Sequence, residues 1–394
     1  MPKRKDNKGR TLKTGESQRK DGRYQYRYTD ASGKRHTIYD VDLTQLRAKV
    51  DEVQKYISQG LDYAAGRINV VELLERYIEL KQGVREATKE LYAYVLNLAQ
   101  KEDFCAREIA GIRVSDAKKW LIELSKQGRS YSTIRSIKAV VRPAFQMAVD
   151  EDALIKNPFC FKLADIITND AKHRTALTPQ QQEALMSFVK EDEVCRKYYD
   201  EIVLLLGTGL RASELCGLTV KDLDFEQGRI RVERQLLVKG KGEYHVSPPK
   251  TEHGVRFIPM TPDVKRSLES ILTNRKNPKA EMLIDGCAGF ILLGRSGCPK
   301  VYKQLQKDIL TVKTRYDKAY PDSPMPKLTP HVFRHTFCTN MANAGMDAKT
   351  LQYLMGHSNV SITLNVYTHI GFDQAAKQMA KITDISSVSK ASNV

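Results

Sequence analysis

Apolar residues recur at three- and four-residue steps through most of the chain, the spacing that gathers one face of an α-helix. Leu43, Leu46, Val50, Val53 and Ile57 make one such stripe, which predicts a helix ending near Gly60. From residue 70 to residue 159 the pattern is helical throughout, with stripes at Val71/Leu74/Tyr77/Ile78, Leu91/Val95/Leu98, Trp120/Leu121/Leu124 and Ile134/Ile137/Val141/Phe145. Ser115 ahead of Asp116 reads as a helix start, Gly128 as a stop and Asn157-Pro158 as the close of the last helix, so a helical bundle is expected.

Two stretches break this rhythm. Arg23-Tyr24-Gln25-Tyr26-Arg27-Tyr28 alternates, so a strand puts the tyrosines on one face and Arg23, Gln25 and Arg27 on the other. Asp30-Ala31-Ser32-Gly33 is turn chemistry, and residues 34–39 return as the second strand of a hairpin. With the tyrosines packed on the Leu43 stripe, residues 1–62 become a small domain whose two-stranded ribbon fits a DNA major groove. Arg23, Arg27, Lys34 and Arg35 are its candidate DNA contacts, reading bases or holding phosphates only.

The second break lies between Gly228 and Met260, where Ile230, Val232, Val255, Phe257 and Ile258 fall into period two and predict a short β-meander. It interrupts a helical region that opens at Thr178-Pro179, an N-cap followed by proline at the first helical position. The expected fold is therefore mainly α and multidomain. A sheet-plus-helix domain (1–62) precedes a helical domain (67–160), a linker (161–177), a mixed helical domain with the meander (178–383) and a polar tail (384–394).

Charge narrows the function. Lys and Arg number 64 against 47 Asp and Glu, a net +17, and the first 36 residues hold 12 basic against 4 acidic, or +8 of it. Such an excess favours a polyanionic partner, nucleic acid or an anionic membrane surface. Residues 1–20 are either a disordered basic tail or part of the first domain. Lys118, Lys119, Arg129, Arg135, Lys138 and Arg142 are candidate phosphate contacts on the helical domain, or a solvated charged face. With no run of about 18 apolar residues and a polar N-terminus, neither a membrane span nor a secretory leader is expected, and the protein is expected in the cytoplasm. Seven scattered cysteines without C-x-x-C spacing read as reduced core thiols rather than metal ligands.

The candidate chemistry sits in four segments of the last domain. In Thr329-Pro330-His331-Val332-Phe333-Arg334-His335, Thr329 caps a helix and His331 and Arg334 project from one side of its first turn. Free N–H groups, an imidazole and a guanidinium suit a phosphate better than a metal, and no H-E-x-x-H pattern is present. Thr208-Gly209-Leu210-Arg211-Ala212-Ser213-Glu214-Leu215 places an arginine just after a helix-ending glycine, Pro249-Lys250-Thr251 lies in the meander, and Leu354-Met355-Gly356-His357 ends a helix ahead of another that carries Tyr367.

On these residues the sequence resembles the tyrosine recombinases, the phage-integrase family, and within it the integrases of bacterial conjugative transposons. Order and spacing match over residues 178–380, and the first two domains look like the family's arm-binding and core-binding domains. The resemblance implies that Arg211 and Arg334 clamp the non-bridging oxygens of one DNA phosphate, so that neither a metal ion nor another cofactor is needed. Tyr367 is then the nucleophile, forming a 3′-phosphotyrosyl bond. A tyrosine hydroxyl of pKa about 10 is only about a thousandth ionised at neutral pH, so it needs cationic neighbours and a base. His331 is implied as that base, His357 as a hydrogen-bond donor to the phosphate and Lys250 as general acid to the departing 5′ hydroxyl. Glu214 orients Arg211 or is a surface glutamate.

The bond energy is kept in the tyrosyl ester, and no G-x-x-x-x-G-K-[ST] run is present. The implied activity is integration and excision of a mobile element. The implied partners are double-stranded DNA at element ends, arm-type sites and target, three further copies in a homotetramer on DNA, a directionality factor and a DNA-bending protein. Other readings of the same residues are a type IB-like topoisomerase, a non-catalytic DNA-binding regulator and a metal-dependent transposase.

Overall fold

A computed structural model describes residues 4–29, 33, 35–169, 175–239, 242–249, 252–275, 281–294 and 296–367. The chain divides into two units, Met1–Lys172 and His173–Val394.

The first unit opens with an antiparallel sheet of β1 (Glu16–Gln18), β2 (Tyr24–Thr29) and β3 (Arg35–Asp40), in that order, followed by α1 (Leu43–Ser58). Alternation predicts only β2 and β3; β1 is too short for a period to show, and Glu16, 1 % exposed, anchors it by accepting from Arg47 of α1 at 3.0 Å. The segment from residue 4 to β1 is folded rather than a tail. Asp6 accepts from Arg10 at 2.8 Å and from the Tyr24 hydroxyl at 2.9 Å. Burial works to raise its pKa, but the hydrogen bonds from Arg10 and Tyr24 hold it down at about 2. Tyr24 packs with Leu43, Leu46 and Val50, with Tyr26 beside them, whereas Tyr28 stacks on Tyr26 and His36. Ile57, expected in the buried stripe, is exposed in the last turn of α1.

The rest of this unit is α2 (Val70–Glu79), α3 (Glu86–Ala99), α4 (Val114–Lys126) and α5 (Tyr131–Asp150) around one apolar core. α4 starts a residue before Ser115, because Asp116 reaches back to accept from the Arg113 N–H at 3.0 Å. α5 stops at Asp150, short of Asn157-Pro158. Asp152 turns left-handed (φ 56°) and the Ala153 N–H returns to the Ala148 carbonyl at 2.8 Å, which closes the helix early. Asn157 instead fastens the chain back onto α5, donating to the Arg142 carbonyl at 2.9 Å and accepting from the Phe159 N–H at 2.9 Å. This seats Phe159 among Phe104, Trp120, Phe145 and Phe161 with no exposed surface. Phe159→Ala is expected to destabilise the unit by about 3–5 kcal/mol, read as a lower denaturant midpoint with an unchanged slope.

In the second unit, α6 (Pro179–Glu191), capped by Thr178, leads to α7 (Tyr199–Thr208) and α8 (Ala212–Gly217). Then come β4 (Leu223–Asp224), β5 (Arg229–Val232), β6 (Gln235–Lys239), β7 (Glu243–Ser247) and β8 (Arg256–Pro259). β4, β5 and β8 form one sheet in that order, while β6 and β7 form a separate hairpin. The register pairs Ile230 with Ile258 and Val232 with Arg256, so one buried face carries three aliphatic side chains and an arginine. Val255 and Phe257, counted with the apolar pattern, lie on the exposed side. α9 (Pro262–Asn274), α10 (Tyr302–Ala319), α11 (Pro330–Asn343), α12 (Ala348–Met355) and α13 (Val360–Tyr367) complete the unit.

All seven cysteines are free. Cys105, Cys195, Cys216 and Cys338 are buried, but Cys160 is exposed and Cys287 and Cys298 are half-buried, so three are not core thiols. No helix among the described residues is long and apolar enough to cross a membrane.

Candidate active site

The site is built at the C-terminal end of α12. A helix end leaves its last carbonyls without backbone partners and carries the negative pole of the helix dipole, so it attracts cations. Gly356 ends α12 in the left-handed region (φ 60°), where a Cβ would meet Arg256 Nη1 at 3.1 Å and the His253 carbonyl at 3.2 Å. Three successive carbonyls there accept from three different arginines. Leu354 takes Arg256 Nε at 2.7 Å, Met355 takes Arg334 Nη2, and Gly356 takes Arg211 Nη2 at 3.1 Å.

Each arginine arrives for a local reason. Gly209 ends α7 at φ 62°, where any Cβ would strike the Phe337 ring at 2.3 Å, and this tight turn delivers Arg211 to the N-cap of α8. Arg334 lies on the second turn of α11, whose start is fixed by the Thr329 cap and Pro330; it is 6 % exposed and donates to the Gly209 carbonyl at 2.6 Å. Arg256 comes from the buried face of β8.

Glu214 sits among them, 2 % exposed, accepting from Arg211 at 2.6 Å and from Arg256 at 2.9 Å, with Arg334 at 4.0 Å. Burial pushes its pKa up, but the Arg256 charge and hydrogen bond, then Arg211 and Arg334, bring it down to about 2. Burial, then the Arg211 charge, lowers Arg334 to about 9, so it remains a cation at neutral pH. Three guanidinium groups against one carboxylate leave this pocket net positive before any anion enters.

His357 follows Gly356, its Nδ1 3.0 Å from the Thr363 hydroxyl. Burial, then the charges of Arg334, Arg211 and Arg256, lowers its pKa to about 4. The imidazole is therefore neutral at pH 7, and in the tautomer whose Nδ1 accepts from the Thr363 hydroxyl, Nε2 carries the proton and can donate. An unfolded histidine titrates near pH 6.5, so between about pH 6.5 and 4 the unfolded chain binds a proton that the folded one does not. Stability is expected to fall as pH is lowered through that window. Unfolding midpoints measured against pH check this, and His357→Gln is expected to flatten the fall.

Tyr367 closes α13, half-buried against a small cluster of Phe337, Cys338, Ala342, Leu351 and Met355, and its hydroxyl donates to the Met346 carbonyl at 2.6 Å. Burial, then Cys338 and Asp347, raises its pKa. The structure thus gathers Arg211, Arg334, Glu214 and His357, while the Tyr367 hydroxyl is bonded to the connection between α11 and α12. His331 stands exposed on the first turn of α11. Lys250, like Lys34, lies outside the described residues.

The other basic positions are all in the first unit. Arg27 and Arg35 are exposed on the sheet, and Arg23, just before β2, pairs with Asp21 at 2.8 Å. On the helical part, the Lys118 and Lys138 ammonium groups lie over the Phe161 ring at 5.4 and 4.7 Å, and Lys138 also donates to the Phe161 carbonyl at 2.6 Å. Arg129 donates to the Tyr94 hydroxyl at 2.8 Å, while Lys119, Arg135 and Arg142 are exposed.

Sequence reasoning passed over Arg256 and Thr363. For Arg256 a signal existed: it holds the inward position of a strand whose other inward residues are aliphatic, and a buried arginine requires partners. For Thr363, six residues beyond His357, no local signal exists.

Residues 175–374 match the phage integrase family, and residues 1–57 match the DNA-binding domain of Tn916 integrase. The chain is 40 % identical over 393 residues to the transposase from transposon Tn916 of Enterococcus faecalis, covering 96 % of each. Among solved structures it resembles the Tn1549 transposon integrase in complex with circular intermediate DNA, at 40 % identity and TM-score 0.74, over 80 % of this chain and 100 % of that one. It shares its fold with a lambda integrase dimer bound to a core site, at 16 % identity and TM-score 0.54, over 91 % of this chain and 95 % of that one.

Proposed function

The chain belongs to the phage integrase family of tyrosine recombinases, and from that premise we propose how its residues divide the work of cutting and rejoining DNA at the ends of a mobile element. The observation that carries the reading is the arginine-lined end of α12. Arg211 and Arg334 are held by backbone carbonyls on the same helix end, beside a neutral His357, with Glu214 fixing Arg211 from beneath. A phosphodiester seated there meets two preorganised cations and an N–H donor, which oppose the charge that grows as phosphorus becomes five-coordinate.

Tyr367 attacks the phosphorus after its hydroxyl leaves the Met346 carbonyl. Its proton passes to His331, since His357 titrates too low to serve as a base near neutral pH. Lys250 protonates the departing 5′ oxygen, leaving a 3′-phosphotyrosyl ester that a second strand's 5′ hydroxyl reverses. No metal or other cofactor takes part.

The sheet of the first unit, through Arg23, Arg27, Lys34 and Arg35, holds arm-type sites. The edge carrying Lys118, Lys119, Arg135, Lys138 and Arg142 follows the backbone of core or target DNA, and two such footholds on one chain give bivalent capture. Four copies assemble on two duplexes, aided by a directionality factor and a DNA-bending protein, in the cytoplasm of a bacterial cell.

The test is a covalent trap. Protein is incubated in excess EDTA with a duplex carrying the end sequence of the element that encodes it, nicked beside the cleavage position. An SDS-resistant protein–DNA adduct is expected. No adduct on DNA that the protein binds would leave a DNA-binding regulator as the reading, and adduct with relaxed but never recombinant plasmid would leave a topoisomerase.

A further inference from the structure

We propose that Arg256, which lies outside the residues expected to touch DNA, is a positioning residue of the cleavage site: it shares the charge of Glu214 with Arg211 and fixes the end of α12, so that Arg211 and Arg334 keep a net positive charge and their places for the phosphate. The inference rests on the recombinase reading above.

Arg256 is 2 % exposed and every polar atom of its head is used. Nε donates to the Leu354 carbonyl at 2.7 Å, Nη1 to the Gly254 carbonyl at 2.9 Å and to Glu214 at 3.3 Å, and Nη2 to Glu214 at 2.9 Å. It cannot reach a ligand without breaking these bonds, so it acts through others. Two effects follow. Glu214 is buried next to the two arginines proposed to bind the phosphate and already accepts from Arg211 at 2.6 Å; without Arg256 its whole charge falls on those two, halving the positive charge offered to an incoming phosphate. Arg256 also ties three chain segments together: α8 through Glu214, the C-terminus of α12 through Leu354, and the 252–254 turn through Gly254. That turn follows Lys250 in the sequence, and Gly356-His357 follows Leu354. One guanidinium thereby ties together the segments that bear Arg211, Glu214 and His357. Its planar fork of five donors suits this task, whereas a lysine ammonium cannot span the same acceptors.

The test compares wild type, Arg256→Lys, Arg256→Gln and the double variant Glu214→Gln/Arg256→Gln on the nicked element-end duplex. Single-turnover cleavage and DNA affinity are measured separately. Misplacement of a catalytic constellation by about 1 Å lowers rates about 100-fold, and this is the fall expected for Arg256→Gln with DNA affinity unchanged. Arg256→Lys keeps the charge and is expected to fall less. The double variant removes the stranded carboxylate charge and is expected to cleave about tenfold faster than Arg256→Gln alone, a barrier lower by about 1.4 kcal/mol.

A purely structural role would not give that recovery, since the double variant restores no contact of the lost guanidinium. Should Arg256→Gln fail to fold, Arg256→Lys and the neutral double variant carry the comparison. Cleavage by Arg256→Gln near the wild-type rate, loss in proportion to DNA affinity, or a double variant no faster than the single one each overturns the proposal. Wild type forming no adduct overturns the recombinase reading instead.

Discussion

Tyr367→Phe is expected to abolish the covalent protein–DNA adduct while leaving DNA binding intact. The change removes one oxygen and nothing else: the ring keeps its packing against the small cluster of Phe337, Cys338, Ala342, Leu351 and Met355, and the arginines proposed to bind the phosphate lie on other segments. The variant also loses the bond from the hydroxyl to the Met346 carbonyl, an interaction of about 1 kcal/mol, so a slightly lower unfolding midpoint accompanies the loss of chemistry. A denaturing gel after incubation with nicked duplex, alongside a native mobility shift, reads both effects. An adduct that survives the substitution would place the nucleophile elsewhere.

Arg211→Ala and Arg334→Ala are each expected to slow cleavage by about 100- to 1000-fold, the loss found when one preorganised donor to a developing oxyanion is removed. The two differ in what else they break. Arg211 is a third exposed and shares Glu214 with Arg256, so its removal leaves that carboxylate partnered. Arg334 is buried and holds the Gly209 and Met355 carbonyls together, joining the α7 turn to the end of α12. Truncating it leaves both acceptors without that donor and strips a cation from beside Glu214, and breaking a buried charged network of this kind costs about 3–5 kcal/mol. Urea titrations of the two variants are therefore expected to separate, with Arg334→Ala far less stable, while single-turnover cleavage is nearly lost in both. Arg211→Ala cleaving within tenfold of wild type would remove that residue from the phosphate clamp.

Local signals were read well where the physics is local. The α6 start at Thr178-Pro179, the α11 start at Thr329-Pro330 and the α12 stop at Gly356 follow from capping and from the φ values that proline and glycine allow. Period three to four marked α2 to α5 because each buries one stripe against the same core. Where a longer-range contact competes, the local reading slips. β1 exists because Glu16 pairs with Arg47, 31 residues away. α5 ends early because Asn157 and Phe159 fold back onto it rather than extending it. Ile57 belongs to the stripe by spacing, yet it lies exposed in the last turn of α1.

By itself the sequence determined the identity of the chemistry: which four segments bear arginine, histidine and tyrosine, in what order, on a basic chain with a hairpin domain in front. Only the tertiary structure decided how those groups meet. Arg211 reaches a carbonyl 145 residues on, Arg334 one 125 residues back, and Arg256 bridges Glu214, 42 residues before it, and Leu354, 98 residues after it. None of these contacts leaves a periodic or spacing signature, because each is set by where packed cores bring helix ends together. Arg256 shows the difference most plainly. In sequence it is a charged interruption in a strand; in the fold it is a buried cation that shares the Glu214 carboxylate with Arg211.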